Sequence, residues 1–586
     1  MKHFYTTVYL GLLLIFNTFL LLSVQAQEPV ISFSYPGGFY DTPLVLRLSC
    51  SDSLSIHYTI NGNNPKCSDL KYQHPLILNE DLFTSSNIYT IQTCHDSLWY
   101  PVTSIQKCIV IRASAFNSKG KQVGETTTNS YFIKSLGCDS HNLPIVSICT
   151  DSVSLFDQKF GIMAINKAKE IDSANYLQKG RQWERLCNFE FYEPNNQGIN
   201  QQAGLRIHGE SSRLVSQKGF RLYARKEYGN SRFQYEFFGH DELNSYKHLV
   251  LKPLKDGLIG EHICTPLAKS LNVDAPAVRP VILFLNGEYW GIYYLEERID
   301  AQFIANHYGY KKNDINLIES WSGLVIDGES NSFKQMMQWF YQADLSDEKA
   351  YQHACSLIDI DNFIDYYCLE LYSGNDSWPL SNMKCWQANG GKWRWIFIDG
   401  DGCICGYRNM LTSFKNESYE STLIITKLLD NQDFRDHFYS RIGYLITNEF
   451  EYKKTIKYLD LAYETISNEI DRHISRFGTP SSRNSFEFHK HQYISTFMYY
   501  RQLYLSKLVY YVYYCNDWEF KIAPRESQQR FKYNPNKRKP VYLLQMAKQF
   551  KDWKYVKLYR RYIKLYYKNE RSRIKEKWKA KLDKLL

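Results

Sequence analysis

Apolar and polar positions alternate along the first part of the chain. The runs Leu44–Leu48, Ser55–Ile60 and Ile109–Phe116 follow a period of two and are separated by Gly, Asn, Pro and Ser turns, so residues 29–137 are predicted to be all-β. Tyr58-Thr59-Ile60-Asn61-Gly62 ends one of these strands on an Asn-Gly pair, a hairpin signal. Beyond a linker at residues 137–142 the texture turns to mixed strand and helix, and it stays so to about residue 440. Ile456, Leu459, Leu461, Tyr463 and Ile466 then recur at helical spacing in a charged background, predicting helices to about residue 515. A Pro-, Asn- and Lys-rich link at 534–540 leads into a last amphipathic pattern, with Phe550, Trp553, Val556, Tyr559, Ile563 and Tyr566 spaced by three or four.

The two ends add compartment and charge. Lys2 and His3 precede an uncharged apolar run from Val8 to Val24, and Val24-Gln25-Ala26 offers small residues for a signal peptidase. Residues 1–26 are therefore expected to be a cleaved secretory signal, exporting the protein to the periplasm, cell surface or medium. No later stretch is long and apolar enough to span a bilayer. All 14 cysteines follow the signal, and in an exported chain some of Cys50, Cys67, Cys94 and Cys108 are expected to pair, by any of three connectivities. Cys403 and Cys405 read as buried thiols rather than metal ligands. Residues 521–586 carry a net charge of +17 and everything before them −7. A helical tail so basic is expected to meet an anionic envelope surface or the acidic body, and nucleic acid is not the expected partner.

Candidate chemistry lies between residues 143 and 407. Leu143–Ile148 reads as a buried strand. Gly204–Arg213 reads as strand then polar turn, and Gln217–Leu222 as the next strand. Ser211, Arg213 and Lys218 supply the hydroxyl and cations that a phosphate chain requires. Leu285–Gly291 is a tight hairpin that runs into Glu296-Glu297-Arg298-Ile299-Asp300, read as the start of a helix. A loop at Asn375-Asp376-Ser377-Trp378-Pro379 is followed by Asn382, Lys384 and Trp386. The apolar strand Trp393–Ile398 ends in Asp399-Gly400-Asp401-Gly402, where two carboxylates on a permissive backbone suit Mg²⁺.

The order of these parts, with Gly/Ser turn, lysine strand, helix glutamate, Asp/Asn loop and acidic strand end, is that of a protein kinase. Their wording resembles the CotH family of kinase-like proteins, from Leu143 to about Leu508, and includes Ser421-Thr422-Leu423 and Arg472-His473-Ile474-Ser475-Arg476. Gly37-Gly38-Phe39-Tyr40, the Tyr58–Gly62 turn with Pro65, and Ile111–Ala115 resemble the β-sandwich appended to chitobiases and hexosaminidases.

The resemblances imply a multi-domain chain with an N-terminal all-β (Ig-like) sandwich over 29–137. A central α+β atypical protein-kinase-like fold would follow over 143–515 (core 143–407, helical lobe 408–515), and then a helical C-terminal extension over 516–586. They imply ATP with Mg²⁺ or Mn²⁺ as cofactors and Ser/Thr of an exported protein as acceptor. Residue by residue, Lys218 would contact the α/β-phosphates beside Arg213 and Ser211, Glu297 would orient Lys218, and Asn382 with Asp399 or Asp401 would hold the metal. The family loop reads Asn-x-Asp-Trp-Pro, whereas here Ser377 precedes Trp378 and Asp376 lies one place early. Catalysis therefore turns on Asp376 and Ser377. The rival expectations are a catalytically silent kinase-fold scaffold and a glycan-associated surface protein working through its sandwich.

Overall fold

The computed structural model describes residues 31–84, 87–95, 104–138, 141–165, 174–239, 243–254, 259–375, 377–404 and 420–490, with 501, 502 and 505. The expected signal, the basic tail, Asp376 and Cys405 lie outside these residues. Two compact units form. Of the described residues, one holds those up to His95, Ser104–Ala203 and Leu283–Trp290; the other holds those in Gly204–Ile282 and from Gly291 to 505.

In the first unit, strands β1 (Gly38–Tyr40), β2 (Ser55–Thr59), β3 (Leu70–Lys71), β4 (Ile109–Phe116) and β5 (Gln122–Ile133) form a sheet in the order β1-β5-β4-β2-β3. Only β1 and β5 pair in parallel. The apolar positions Ile56, Ile109, Ile111, Ala113 and Tyr131 enter one core with Leu46, Leu48 and Leu78. Burying such side chains contributes about 1.5–3 kcal/mol each for the larger ones. The Asn61-Gly62 turn does not close a tight hairpin. Gly62 has φ 80°, but β2 pairs with β3 through His57↔Lys71, so the chain wanders for most of a loop before returning. Strands β6 (Ile145–Cys149) and β7 (Arg185–Tyr192) pair antiparallel in the same unit, and β6 is the strand expected at Leu143–Ile148. Cys50, Cys67, Cys94 and Cys108 form no disulfide, against expectation. The Cys50 thiol instead donates to the Leu54 carbonyl at 3.7 Å, and Cys108 is fully buried.

In the second unit four strands lie side by side: β8 (Gly198–His208, from Gly204 on), β9 (Gly219–Tyr223), β10 (His248–Pro253) and β12 (Glu288–Glu297, from Tyr293 on). Strand β11 (Val278–Leu285) precedes β12, and the Asn286-Gly287 pair between them, in the first unit, has φ 48° and 83°, as the expected tight hairpin demands. Helix α1 (Gly260–Lys269) follows β10. Helix α2 (Ala301–Tyr308) starts five residues later than the sequence suggests. Glu296 and Glu297 still belong to β12, and Asp300 is the N-cap, accepting from the N–H groups of Gln302 (2.9 Å) and Phe303 (3.2 Å).

A second sheet, in the order β14-β13-β15-β16, combines β13 (Ile315–Glu319), β14 (Leu324–Asp327), β15 (Lys384–Ala388) and β16 (Arg394–Ile396). Ile315, Leu317, Trp386, Ala388 and Ile396 of this sheet pack with Phe303 and Ile304 of α2. Helix α3 (Ile360–Ser373) is buried along almost its whole length. Helices α4 (Gln432–Thr447), α5 (Tyr452–Ser467) and α6 (Ile470–Phe477) make up the helical part, and Leu459, Tyr463 and Ile466 of α5 are buried as their spacing predicts, while Leu461 faces solvent. Among the described residues no helix is long and apolar enough to cross a membrane.

Candidate active site

Strand periodicity decides which side chains meet. Leu205 and Ile207, Phe220 and Leu222, Leu249 and Leu251, and Leu295 share one face of β8, β9, β10 and β12, and all are buried. The alternate positions carry Arg206 and His208, Arg221, Val250 and Lys252, and Glu296 on the opposite face. One side of the sheet is thus a packed core, and the other presents charged groups.

Lys252 is the centre of that charged face. Its Nζ lies 2.6 Å from Glu261 Oε2 on α1, 3.1 Å from Asp399 Oδ1, 3.4 Å from Asp401 Oδ1 and 3.9 Å from Glu296 Oε2. Burial opposes the charge on Lys252, but Asp401, Glu261, Asp399 and Glu296 outweigh it and hold the ammonium well above the usual lysine range. Burial likewise pushes Glu296 up to about 7 and Glu261 well above the ordinary glutamate value, with Lys252 pulling both back. Asp399 moves the other way, because Lys252 beside it favours the carboxylate.

The acidic turn is held against α1 by backbone contact. A Cβ on Gly260 would sit 2.6 Å from the Gly400 carbonyl oxygen, and a Cβ on Gly400 would sit 2.8 Å from Glu261 Cα. Glycine at both places lets the turn bearing Asp399 and Asp401 approach the helix bearing Glu261. Asp399 and Asn382 both adopt left-handed backbone, with φ 54° and 57°, and Asn382 hydrogen-bonds the Asp399 carboxylate. The turn is tied onward to the end of α3 by Ile404 N–H donating to the Ser373 carbonyl at 2.7 Å.

Several expected site residues stand elsewhere. Lys218 is two residues before Phe220, on the apolar side of the sheet. It is fully buried, its ammonium donates to the Arg213 carbonyl, and its own carbonyl accepts from Tyr293 Oη at 2.8 Å. Glu297 is on that same side but opposite Leu249, so roughly 13 Å of strand separates it from Lys218's level near Pro253. The Glu297 carboxylate accepts from Ala277 N–H at 2.9 Å and lies 3.0 Å from His307 Nε2. Lys218 and Glu297 thus do not pair, and the strand lysine and helix glutamate in contact on the charged face are Lys252 and Glu261. Arg213 is also turned inward, donating to the carbonyls of Gly209 (2.5 Å) and Ile207 (2.9 Å), and Ser211 opens an exposed 3-10 turn. Ser377 is exposed, with its N–H on Asn375 Oδ1 at 3.2 Å.

Lys252 and Glu261 were legible in principle. Lys252 is a single cation at the end of an apolar strand, His248–Pro253, and Glu261 comes nine residues on at a helix start. Lys218 neighbours a Gly/Ser turn in sequence but faces the core.

A divalent cation fits the donor set. Asp399 and Asp401 offer hard oxygens on side chains 45% and 33% exposed, and Asn382 adds an amide oxygen. Glu261 Oε1 and Glu296 Oε2 are buried with no hydrogen-bond partner, and four carboxylates face Lys252, with Lys384 also acting on Glu296 and Asp399. Among the described residues no three His, Cys, Asp or Glu side chains converge on one metal position, since Asp399 and Asp401 turn toward Lys252.

Residues 205–505, about half of the chain, match the family described as CotH kinase protein. The chain belongs to this CotH kinase family. The match covers the charged sheet face, α1, the acidic turn and the helical part, so every element around Lys252 lies within CotH sequence. Residues 46–131 match a second family, Fn3 associated, and it is this name rather than the chitobiase one that the N-terminal β domain carries. No curated protein matches the chain.

Proposed function

We propose that this CotH protein binds ATP with Mg²⁺ or Mn²⁺ on the charged sheet face and transfers the γ-phosphoryl group to Ser or Thr of an exported protein. The observation that carries this reading is the Lys252–Glu261 pair, 2.6 Å apart, beside Asp399 and Asp401. A strand lysine held by a helix glutamate, next to an acidic turn, is the equipment for positioning a phosphate chain. Lys252 would donate to phosphate oxygens while Glu261 keeps it in place. Asp399, Asp401 and Asn382 would hold the cation, which when bound neutralises charge on the phosphates. In the transfer the acceptor hydroxyl oxygen bonds to the γ-phosphorus and the bond to the β-phosphate oxygen breaks, releasing ADP. Asp376 takes the hydroxyl proton.

A second reading, a CotH protein that binds nucleotide without transferring phosphate, draws on Ser377 standing directly before Trp378 where the family pattern has Asp. A thermal-shift titration with ATP–Mg²⁺ tests binding, and ³²P transfer to a protein acceptor separates the two readings. A ligand at about 100 times its Kd stabilises by about 2.7 kcal/mol. No shift in the wild type would remove both readings.

A further inference from the structure

The acidic turn runs into a cysteine, and α1 carries another. A Cβ on Gly260 would lie 3.3 Å from Cys403 Cβ and 2.9 Å from the Cys403 carbonyl oxygen, so the first turn of α1 stands directly against Cys403. Cys264 comes four positions after Gly260, on the same face of the helix and one turn on. Its thiol meets the Cys403 thiol in a side-chain hydrogen bond, and Cys403 also hydrogen-bonds the Ser373 side chain at the end of α3. Both cysteines are buried, and both are thiols in this structure. A thiol is a weak donor and a weak acceptor, so the hydrogen bond between them fixes little by itself. The backbone is nevertheless set, because the Cys403 N–H donates to the Gly400 carbonyl at 3.0 Å. Two sulfurs facing each other from a fixed turn and a helix need only a short closing movement to reach the about 2 Å of a sulfur–sulfur bond.

We infer that Cys264 and Cys403 close into a disulfide that clamps the acidic turn onto α1. The oxidant is another disulfide, of a small molecule or an oxidoreductase, acting by exchange. One cysteine thiolate attacks the oxidant's sulfur–sulfur bond to give a mixed disulfide, and the second displaces the remaining oxidant sulfur. The two cysteines together give up two protons and two electrons, and the oxidant leaves as two thiols. Buried thiols are inert, so closure belongs to folding, while both are still open to the oxidant. Oxidising compartments, to which the proposed export leads, supply such a partner. The link joins elements far apart in the chain, so it constrains the unfolded state and stabilises the fold. It also holds Asp399 and Asp401 beside Glu261. Its bearing on nucleotide rests on the proposed function; the link itself does not.

The test takes the full chain produced in an oxidising compartment, alkylates it in denaturant without reductant and maps the digest by mass spectrometry. The peptide bearing Cys264 should be linked to the one bearing Cys403 and Cys405, with fragment ions placing the bond on Cys403, and Cys405→Ser should keep the link. Reduction with a phosphine should lower the apo Tm by about 4–8 °C. It should also weaken ATP–Mg²⁺ binding roughly threefold or more, since a turn no longer held in place must be ordered on binding. Cys264→Ala should show both losses from the outset and respond far less to phosphine. The wild-type map decides the link even if that variant does not fold. Alkylation of both thiols in the oxidised preparation, or links that join them only to other cysteines, would overturn the inference. So would a Tm or a measurable ATP affinity that is the same before and after reduction. The link and its Tm change with no ATP–Mg²⁺ shift in either form would instead count against the proposed function.

Discussion

Replacing Lys252 by Met removes the cation closest to four carboxylates and leaves Lys384 acting on Glu296 and Asp399. Glu261 and Glu296 are buried, whereas Asp399 and Asp401 are 45% and 33% exposed in their side chains, so solvent partly screens the latter two and the cost is reckoned on the buried pair alone. Taking away one partner of a buried ion pair costs about 3–5 kcal/mol. At about 2 °C per kcal/mol for a large domain, the apo Tm should fall by about 6–10 °C at pH 8. The loss should depend on pH. Lys252 holds the Glu261 and Glu296 values down, so without it both carboxyls bind protons more tightly in the fold. A carboxyl raised in the folded state contributes stability that is full at low pH and lost as pH rises through its folded value. The difference between Lys252→Met and wild type should therefore shrink toward pH 5 and be largest near pH 8. Differential scanning fluorimetry across this range reads it directly. A Tm loss that is the same at pH 5 and pH 8, or no loss at all, would refute the account of Lys252 as the counter-charge.

Glu296 is pushed up to about 7 by burial, so wild-type stability should fall as pH rises from about 4.5 through 7; Glu296→Gln lacks that titration, and its Tm relative to wild type should climb between pH 5 and pH 8. Gly400→Ala would drive a methyl to 2.8 Å from Glu261 Cα, parting the acidic turn from α1, and should abolish the ATP–Mg²⁺ shift as well as lower the apo Tm, by about 1–3 kcal/mol in stability terms. In ³²P-transfer assays Asp376→Ala should lower transfer by about 10²–10⁴-fold, the usual contribution of a general base, and Ser377→Asp should raise it; equal rates in Asp376→Ala and wild type would show that Asp376 takes no proton.

How far the site was legible in the sequence follows from which signals act locally. The strand at Ile109–Phe116 falls where its alternation predicts, and the acidic turn at Asp399–Gly402 stands at the end of an apolar strand as read. The neighbours of Lys218 suit a phosphate site in sequence, while the face it occupies depends on register with β10 and β12. A shift of one position moves a side chain from the site to the core, and that is why Glu296 rather than Glu297 faces Lys252. Glu297 was also read as helical, since Glu-Glu-Arg favours a helix start; pairing with Leu249 in the sheet overrides that local preference.

The most direct test of the site compares Lys252→Met with Lys218→Met in the ATP–Mg²⁺ thermal-shift titration. Both variants remove a buried ammonium and both should lower the apo Tm, so stability alone does not separate them. Lys218→Met should keep the ATP-dependent shift, because its lysine bonds a carbonyl on the core side of the sheet. Lys252→Met should lose the shift, because its lysine stands between Glu261 and Asp399. The opposite pattern, with the shift lost in Lys218→Met and kept in Lys252→Met, would contradict the account.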